Sequence, residues 1–206
     1  MVSYKDIEVV ISGDKVIDIG KKLGDADSFI DCKKKLVTPG FVDCHTHPVF
    51  LDNREDEFHM RASGGLSYEE ISNKGGGISS SIEGVKNASE SLLISKVKSR
   101  MDKFLMLGTT TVECKSGYGL DTKTELKSLK VIDEVNKKHK IDMIPTFMGA
   151  HDFPKEFIND KESYVDLICD EMIPEVASQG IAKFNDVFCE KGYFNLNQSE
   201  KILNVG

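Results

Sequence analysis

The sequence predicts an α/β fold built on a parallel β-sheet. After residue 37, four short apolar segments with strand character alternate with four amphipathic segments with helical character. Such repeated strand–helix units place parallel strands side by side, with the helices packed outside them. Two architectures fit: an open doubly wound sheet and a (β/α)8 barrel. The barrel is favoured, because Gly75, Gly76 and Gly77 do not follow a strand and so do not form a dinucleotide-binding fingerprint.

Six strands are expected. Two short ones lie within residues 4–20, where apolar and polar residues alternate on both sides of the turn Gly13-Asp14-Lys15. A hairpin of this size is not stable alone, so it needs further strands as partners. The four strands of the parallel sheet are predicted at 41–46, 109–114, 141–148 and 184–189.

Four helices are indicated by apolar residues spaced three and four apart. They are predicted at 90–107, 123–138, 161–178 and from Asn197 to the C-terminus. Gly108 is expected to end the first of them, because glycine readily takes the left-handed conformation that follows a helix. Thr122 with Glu125, and Asn197 with Glu200, have the spacing of capping boxes at the starts of the second and fourth.

Two further segments carry local signals. Asn159 or Asp160 is the expected cap of the third helix, and Pro174 should kink that helix or split it. Residues 48–88 read as a long loop after the first parallel strand. Loops of this length are usually functional, and in a barrel this one would lie on the C-terminal face, where active sites form.

Composition restricts the class of protein. The 206 residues carry a net charge of −7, with no basic stripe that could neutralise the phosphates of a nucleic acid. No apolar run approaches the roughly 20 residues of a membrane span, and the N-terminus lacks the apolar core of a signal peptide. Five cysteines occur without a CxxC pair, which indicates reduced thiols. We therefore expect a cytoplasmic protein with no nucleic-acid or membrane partner.

The pair His45 and His47 stands at the end of the first parallel strand. Residues two apart on a strand project from the same face, so both imidazoles are expected on one side. Neutral imidazole is a common ligand of zinc-like metals, and such a metal activates water near neutral pH. The alternative is a polar strand edge or a buried histidine pair without a ligand.

Other polar residues follow the predicted strands at the same end of the sheet. In a barrel, catalytic groups come from the ends of several strands, so their convergence favours an active site over isolated structural roles. The residues at these ends are Arg54, Glu113, Lys115, Ser116, Tyr118, His151, Asp152, Glu190 and Lys191. For Glu113 and Lys115 an internal ion pair is the better interpretation, and Asp43 is either a partner of the histidines or a buried structural carboxylate.

Several segments together resemble a known family. Residues 38–47 (TPGFVDCHTH) resemble the first-strand motif of the metal-dependent amidohydrolase superfamily, and the remaining segments narrow the resemblance to the imidazolonepropionases of histidine degradation. Those segments are 54–58 (REDEF), 75–78 (GGGI), 113–121 (ECKSGYGLD), 124–127 (TELK), 149–151 (GAH) and 186–190 (DVFCE). The resemblance runs from about residue 7 to the C-terminus.

The resemblance implies hydrolysis of a ring C–N bond of 4-imidazolone-5-propanoate, releasing N-formimidoyl-L-glutamate, with one zinc or iron ion. His45 and His47 match the first two metal ligands of the family. Arg54, Tyr118 and His151 match positions that bind the substrate. The other metal ligands, a third histidine and an aspartate, and the acid/base residues are expected beyond Gly206. The resemblance is also compatible with a homodimer.

The resemblance also implies a domain organisation. Residues 1–36 would be part of a small β-sandwich domain, and residues 37–206 the first four βα units of a (β/α)8 TIM-like barrel. Half a barrel exposes two sheet edges, so the chain is expected to be a piece of a longer protein or to need a partner. Two alternatives stay open: an amidohydrolase or deaminase with another substrate, and a non-catalytic partial barrel.

Overall fold

The structure, a computed structural model, describes residues 3–67, 70–71 and 76–206. Gly75 of the glycine triplet lies outside the described residues. The chain divides into two compact units, Met1–Pro39 and Gly40–Gly206. Within the described ranges, no helix is both long and apolar enough to span a membrane.

The first unit contains an antiparallel pair of strands. β1 (Glu8–Ser12) and β2 (Lys15–Gly20) are joined by a tight turn in which Gly13 has a φ of +62°. The predicted hairpin is therefore confirmed. The Glu8 carboxylate accepts a hydrogen bond of 2.8 Å from the backbone N–H of Leu23, which ties the segment after β2 back to β1.

The second unit is built on a parallel sheet of four strands. The strands are β3 (Phe41–Thr46), β4 (Thr109–Lys115), β5 (Asp142–Ala150) and β6 (Phe184–Val187). They lie in the order β3-β4-β5-β6, so each strand pairs with the next one in the sequence. Doubly wound sheets reverse direction at a switch point, which this sheet does not. The α/β prediction is confirmed, and the sequential order fits part of a barrel.

Helices flank and connect these strands. Their bounds are α1 (Glu55–Ala62), α2 (Ile78–Asn87), α3 (Glu90–Met106), α4 (Thr122–Asn136), α5 (Lys161–Leu167), α6 (Ile173–Gln179) and α7 (Leu196–Val205). The prediction of one long loop over 48–88 is wrong, because α1 and α2 lie within it. α1 buries no side chain and so gives no periodic apolar signal, whereas α2 buries Ile78, Ser81 and Val85 at a helical spacing over only 10 residues.

The sheet is covered by two clusters of buried apolar side chains. One joins α3 and α4 to β4 and includes Leu93, Val97 and Val112. The other joins α5 and α7 to β5 and includes Phe147 and Phe194. Each fully buried side chain of this kind contributes about 1.5–3 kcal/mol through its removal from water, so these clusters hold the helices against the strands.

Three predicted helix signals are confirmed, and the two predicted capping boxes need correction. As expected, α3 ends before Gly108 (φ +95°) and Asp160 caps α5. The structure adds that Ser89 caps α3. The π-helical turn Ile168–Met172 separates α5 from α6, and Pro174 lies in the first turn of α6, so the predicted helix is split into two pieces next to Pro174, as expected. Proline lacks the N–H that would bond the preceding turn, and the wider turn accommodates that loss.

The two capping boxes were placed wrongly. α7 is capped by Asn195, whose box partner is Gln198, instead of by Asn197 and Glu200. α4 is capped by Asp121, which accepts from the N–H of Thr124. Glu125 does not bond back to Thr122, because its carboxyl is buried against the loop that precedes the helix.

Candidate active site

The ends of β3, β4 and β5 bring three aromatic side chains together. The ring centroids of His47 and His151 are 4.2 Å apart, and the ring of Tyr118 lies 5.4 Å from the first and 5.3 Å from the second. His47 follows β3, Tyr118 follows β4 and His151 follows β5. Neighbouring parallel strands end at the same edge, which is why residues far apart in sequence meet here.

His47 and His151 form a stack of two imidazoles, with only 8° between the ring planes. Nδ1 of His47 lies 2.8 Å from the Ser116 carbonyl oxygen, and Nδ1 of His151 lies 2.7 Å from the Gly117 carbonyl oxygen. A carbonyl oxygen only accepts hydrogen bonds, so each Nδ1 carries the proton in the neutral ring. The lone pair of each ring therefore lies on Nε2.

Both imidazoles of the stack are neutral at physiological pH. Burial, reinforced by the charge of a protonated His151, lowers the pKa of His47 to about 3. Burial also lowers the pKa of His151 to about 4, and the nearby Arg54 charge acts in the same direction. A histidine must be neutral to ligate a metal or to accept a proton at Nε2, so the environment prepares both rings for these roles.

His45 lies beside the stack. Its ring centroid is 5.7 Å from that of His47, in an edge-on arrangement. The Asp43 carboxylate accepts a hydrogen bond of 3.2 Å from the backbone N–H of His45, so it supports the strand at this position.

The pair His45 and His47 is suited to holding a metal ion. The ring centroids of His45 and His47 are 5.7 Å apart, and imidazole nitrogens are common ligands of zinc-like ions, so both rings would be available to the same ion. The Nδ1–H of His47 is held by a carbonyl, which is the usual outer partner of a metal-ligating histidine. No set of three or more His, Cys, Asp or Glu side chains in the described ranges is arranged to hold a metal.

Arg54 lies at the start of α1, at a distance where its charge acts on His151. Its Nη1 is 3.6 Å from the Glu57 carboxylate. That nitrogen is buried and has no hydrogen-bond partner among the described residues. A buried guanidinium donor of this kind is suited to a planar anion such as a carboxylate.

Lys115 lies on the buried side of β4, as part of an ion-pair network. Its Nζ is 2.6 Å from the Glu113 carboxylate and 2.7 Å from that of Asp186. The Thr146 hydroxyl also donates to Glu113, at 2.7 Å. The predicted internal ion pair of Glu113 and Lys115 is confirmed, and it links β4 to β5 and β6.

The most informative residue that the sequence did not reveal is Glu125. Its carboxyl is completely buried and accepts hydrogen bonds from the backbone N–H groups of Gly117, Gly119 and Leu120 at 2.8–2.9 Å. The sequence signal that could have revealed it is the Gly-Tyr-Gly segment, because a tight turn in a buried place needs an acceptor for its N–H groups.

Comparison of the sequence with known proteins found relatives that share one name. No family model matches the chain. Curated relatives named imidazolonepropionase do match. The relative from Alkaliphilus metalliredigens is 45% identical over 202 residues, which is 95% of this chain and 48% of that protein. The relative from Christiangramia forsetii is 42% identical over 207 residues, which is 98% of this chain and 50% of that protein. The relative from Clostridium tetani is 48% identical over 187 residues. The chain spans about half the length of the curated relatives it matches.

Proposed function

This chain is related to the imidazolonepropionases over the N-terminal half of their sequence, and from that premise we propose that it supplies half of the active site of a hydrolase acting on 4-imidazolone-5-propanoate. The product is N-formimidoyl-L-glutamate. The observation that carries the proposal is the stack of His47 and His151 beside Tyr118 and Arg54. It combines neutral imidazoles with a cationic group suited to a small planar anion.

The proposed fold is the first half of a (β/α)8 barrel, over residues 37–206, preceded by part of a small β-sandwich domain over residues 1–36. Two features of the second unit support the barrel. Among the described strands, β3 and β6 each pair on one side only. Phe41, Val42 and Phe184 on these edge strands are 58–68% exposed, and further strands of the barrel would cover them.

His45 and His47 are the proposed ligands of one zinc or iron ion, with a third histidine and an aspartate supplied by the other half of the protein. When bound, the metal polarises the substrate carbonyl and activates water near neutral pH. Arg54, Tyr118 and His151 are the side chains proposed to bind the substrate and to orient its ring.

The reaction is a hydrolysis in which water adds to the carbonyl carbon of the ring. The C–N bond then breaks, and the ring nitrogen keeps the electron pair and takes up one proton. The former carbonyl carbon becomes a carboxylate of the same ring-opened molecule, and the other proton of the water passes to the solvent. Arg54 is suited to bind the propionate carboxylate, because its buried Nη1 donates no hydrogen bond to any described residue. The Nε2 lone pair of His151 can accept a hydrogen bond from an N–H group of the substrate ring. The ring of Tyr118 lies against the imidazole of His151. These contacts would hold the ring in one orientation for attack.

We also propose a cytoplasmic location, a small-molecule substrate and a homodimeric assembly. The cysteines at 32, 44, 114, 169 and 189 are all free thiols. Free thiols are typical of a reducing compartment.

The proposal is tested on the full-length protein that contains this sequence. We expect the purified protein to retain one metal ion per chain and to convert 4-imidazolone-5-propanoate to N-formimidoyl-L-glutamate. His47→Ala should remove both the metal and the activity, whereas His59→Ala, on the exposed side of α1, should keep both. Metal retention unchanged in His47→Ala, or no turnover by a metal-loaded protein, would overturn the proposal.

Arg54→Ala separates this substrate from those of other amidohydrolases. With a substrate that carries a carboxylate, the loss of the guanidinium should raise KM at least tenfold, because a charge-assisted hydrogen bond contributes about 1.5–3 kcal/mol. An unchanged KM would indicate that the substrate carries no carboxylate at this position. The conservative variant Arg54→Lys should recover part of the affinity, since lysine keeps the charge and loses the planar fork.

A further inference from the structure

A loop of five residues, 116–120, lies between β4 and α4 and is held by two groups from outside it. The Glu125 carboxyl accepts from three of its backbone N–H groups: Gly117 at 2.9 Å, Gly119 at 2.8 Å and Leu120 at 2.9 Å. The backbone N–H of Met148 donates to the Ser116 hydroxyl at 3.0 Å. Ser116 in turn interacts with Glu125. The loop is therefore fixed both to the first turn of α4 and to β5.

The same loop holds the two stacked imidazoles. Its carbonyl oxygens at Ser116 and Gly117 accept from Nδ1 of His47 and of His151. The N–H of Gly117 points to Glu125 while its carbonyl points to His151, so one residue joins the buried carboxyl to a ring of the site. Two hydrogen bonds therefore connect Glu125 to the ring of His151: one from the N–H of Gly117 to Glu125, and one from Nδ1 of His151 to the carbonyl oxygen of Gly117.

Burial makes this arrangement costly unless it is complete. Glu125 has 0% exposure, and its burial raises the pKa of the carboxyl. A buried carboxyl is tolerated when its oxygens accept hydrogen bonds, and here the backbone supplies three of them. The carboxyl also lies at the N-terminal end of α4, where the helix dipole favours negative charge.

The packing leaves the loop little freedom. Gly117 has a φ of +106°, and a Cβ added there would lie 2.9 Å from Cβ and Nδ1 of His151. Gly119 approaches α4 equally closely, since its Cβ would lie 2.8 Å from Cβ of Thr124. The loop therefore touches the histidine on one side and the helix that carries Glu125 on the other.

We infer that Glu125 is a positioning residue: through the 116–120 loop it sets the Nδ1–H tautomer of His47 and His151, and so directs both Nε2 atoms into the site. The consequence for metal binding and turnover rests on the proposed function, whereas the control of the tautomer does not. Outer partners of this kind typically change metal affinity or activity by about 10–100-fold when they are altered.

The test uses Glu125→Gln, which keeps the size of the side chain. Its amide oxygen can still accept from Gly119 and Leu120, but its NH2 group faces the N–H of Gly117 and cannot accept from it. The matched control is Glu134→Gln on the same helix, where the carboxylate pairs with Lys137 and Lys138 at the surface. A general effect of removing a carboxylate from α4 would appear in both variants.

The readout is the ¹⁵N NMR spectrum of the imidazole nitrogens in the metal-free protein at neutral pH, where both rings are neutral. In the unmodified protein and in Glu134→Gln we expect the Nδ1–H tautomer for His47 and His151. In Glu125→Gln we expect the Nε2–H tautomer to appear at both rings, together with a 10–100-fold weaker binding of Zn²⁺. Unchanged tautomers in a folded Glu125→Gln variant would overturn the inference.

A measurement on the unmodified protein keeps the inference falsifiable if Glu125→Gln does not fold. An Nε2–H tautomer at His47 or His151 in that protein would overturn it directly. The tautomers and the Zn²⁺ affinity are measured without substrate. A protein that shows the expected tautomer change but does not hydrolyse 4-imidazolone-5-propanoate would therefore refute the proposed function and support the role of Glu125.

Discussion

Gly117→Ala adds one methyl group where close packing and a backbone conformation that favours glycine coincide. The new Cβ would lie 2.9 Å from three atoms: Cβ and Nδ1 of His151 and the carbonyl oxygen of Met148. The backbone at this position also has a φ of +106°, which residues with a side chain rarely adopt.

Two costs combine in this variant. Holding a non-glycine residue in a sparsely populated conformation costs about 1–3 kcal/mol. Forcing a methyl group into a packed site costs about 1–3 kcal/mol more. We therefore expect the free energy of unfolding to fall by about 2–6 kcal/mol. The displaced His151 should also lose its hydrogen bond of 2.7 Å to the Gly117 carbonyl.

Gly180→Ala is the matched control, because it shares the strain without the clash. Gly180 ends α6 with a φ of +69°, and no atom lies within 4 Å of a Cβ built there. This control should cost only about 1 kcal/mol. Urea unfolding of both variants, followed by far-UV circular dichroism and extrapolated linearly, measures the difference. A Gly117→Ala variant no less stable than Gly180→Ala would refute the reasoning.

Three further substitutions have expected outcomes. Lys115→Met should lower the free energy of unfolding by about 2–3 kcal/mol. This is less than the cost of breaking a fully buried ion pair, because the carboxylate partners of Lys115 are partly exposed. The control Lys98→Met breaks an exposed ion pair and should cost at most about 1 kcal/mol in the same urea assay. Burial alone would lower the pKa of Lys115, but its carboxylate partners outweigh that effect and raise it. The contribution of Lys115 to stability should thus be full at neutral pH and vanish only as the pH rises beyond about 10.4, the ordinary lysine value; a loss already at neutral pH would contradict this. Arg100→Gln should destabilise the protein by about 1–3 kcal/mol. The guanidinium of Arg100 donates to the carbonyl oxygens of Pro48 and Phe50 and lies 3.4 Å from the centre of the Phe50 ring. An unchanged melting temperature would contradict this prediction. Phe147→Ala should cost about 3–5 kcal/mol, whereas Met106→Ala, at a position that is 79% exposed at the end of α3, should change the stability by no more than about 0.5 kcal/mol, as calorimetry or urea unfolding can determine.

The parallel sheet could be predicted from the sequence because its signals are local. Each strand is a short apolar run, and each long helix has apolar residues at a helical spacing, as in α3 with Leu93, Val97 and Met101. The signal is shorter in the two helices within residues 48–88: α1 buries no side chain, and the helical spacing of α2 spans only 10 residues of a segment rich in serine and glycine, a composition typical of loops. Their positions depend on packing against the rest of the unit, which sequence periodicity does not express.

The candidate site shows the same limit. His47 and His151 could be selected because several polar residues follow neighbouring parallel strands at the same end of the sheet, and the structure places these two in contact. Glu125 could not, because a glutamate three residues after a threonine matches a helix-capping pattern. Its true partners are the N–H groups of the preceding loop, and only the buried position of α4 relative to that loop reveals them.

The order β3-β4-β5-β6 has a consequence for the synthesis of the protein on the ribosome. Each strand after β3 finds its preceding neighbour already made when it emerges, so the sheet can grow in one direction, one strand–helix unit at a time. Domains generally fold from the N-terminus during translation, and a sheet with this order never has to leave a gap for a strand that comes later. At each stage the newest strand presents one open row of N–H and C=O groups, which serves as the template for the strand that follows.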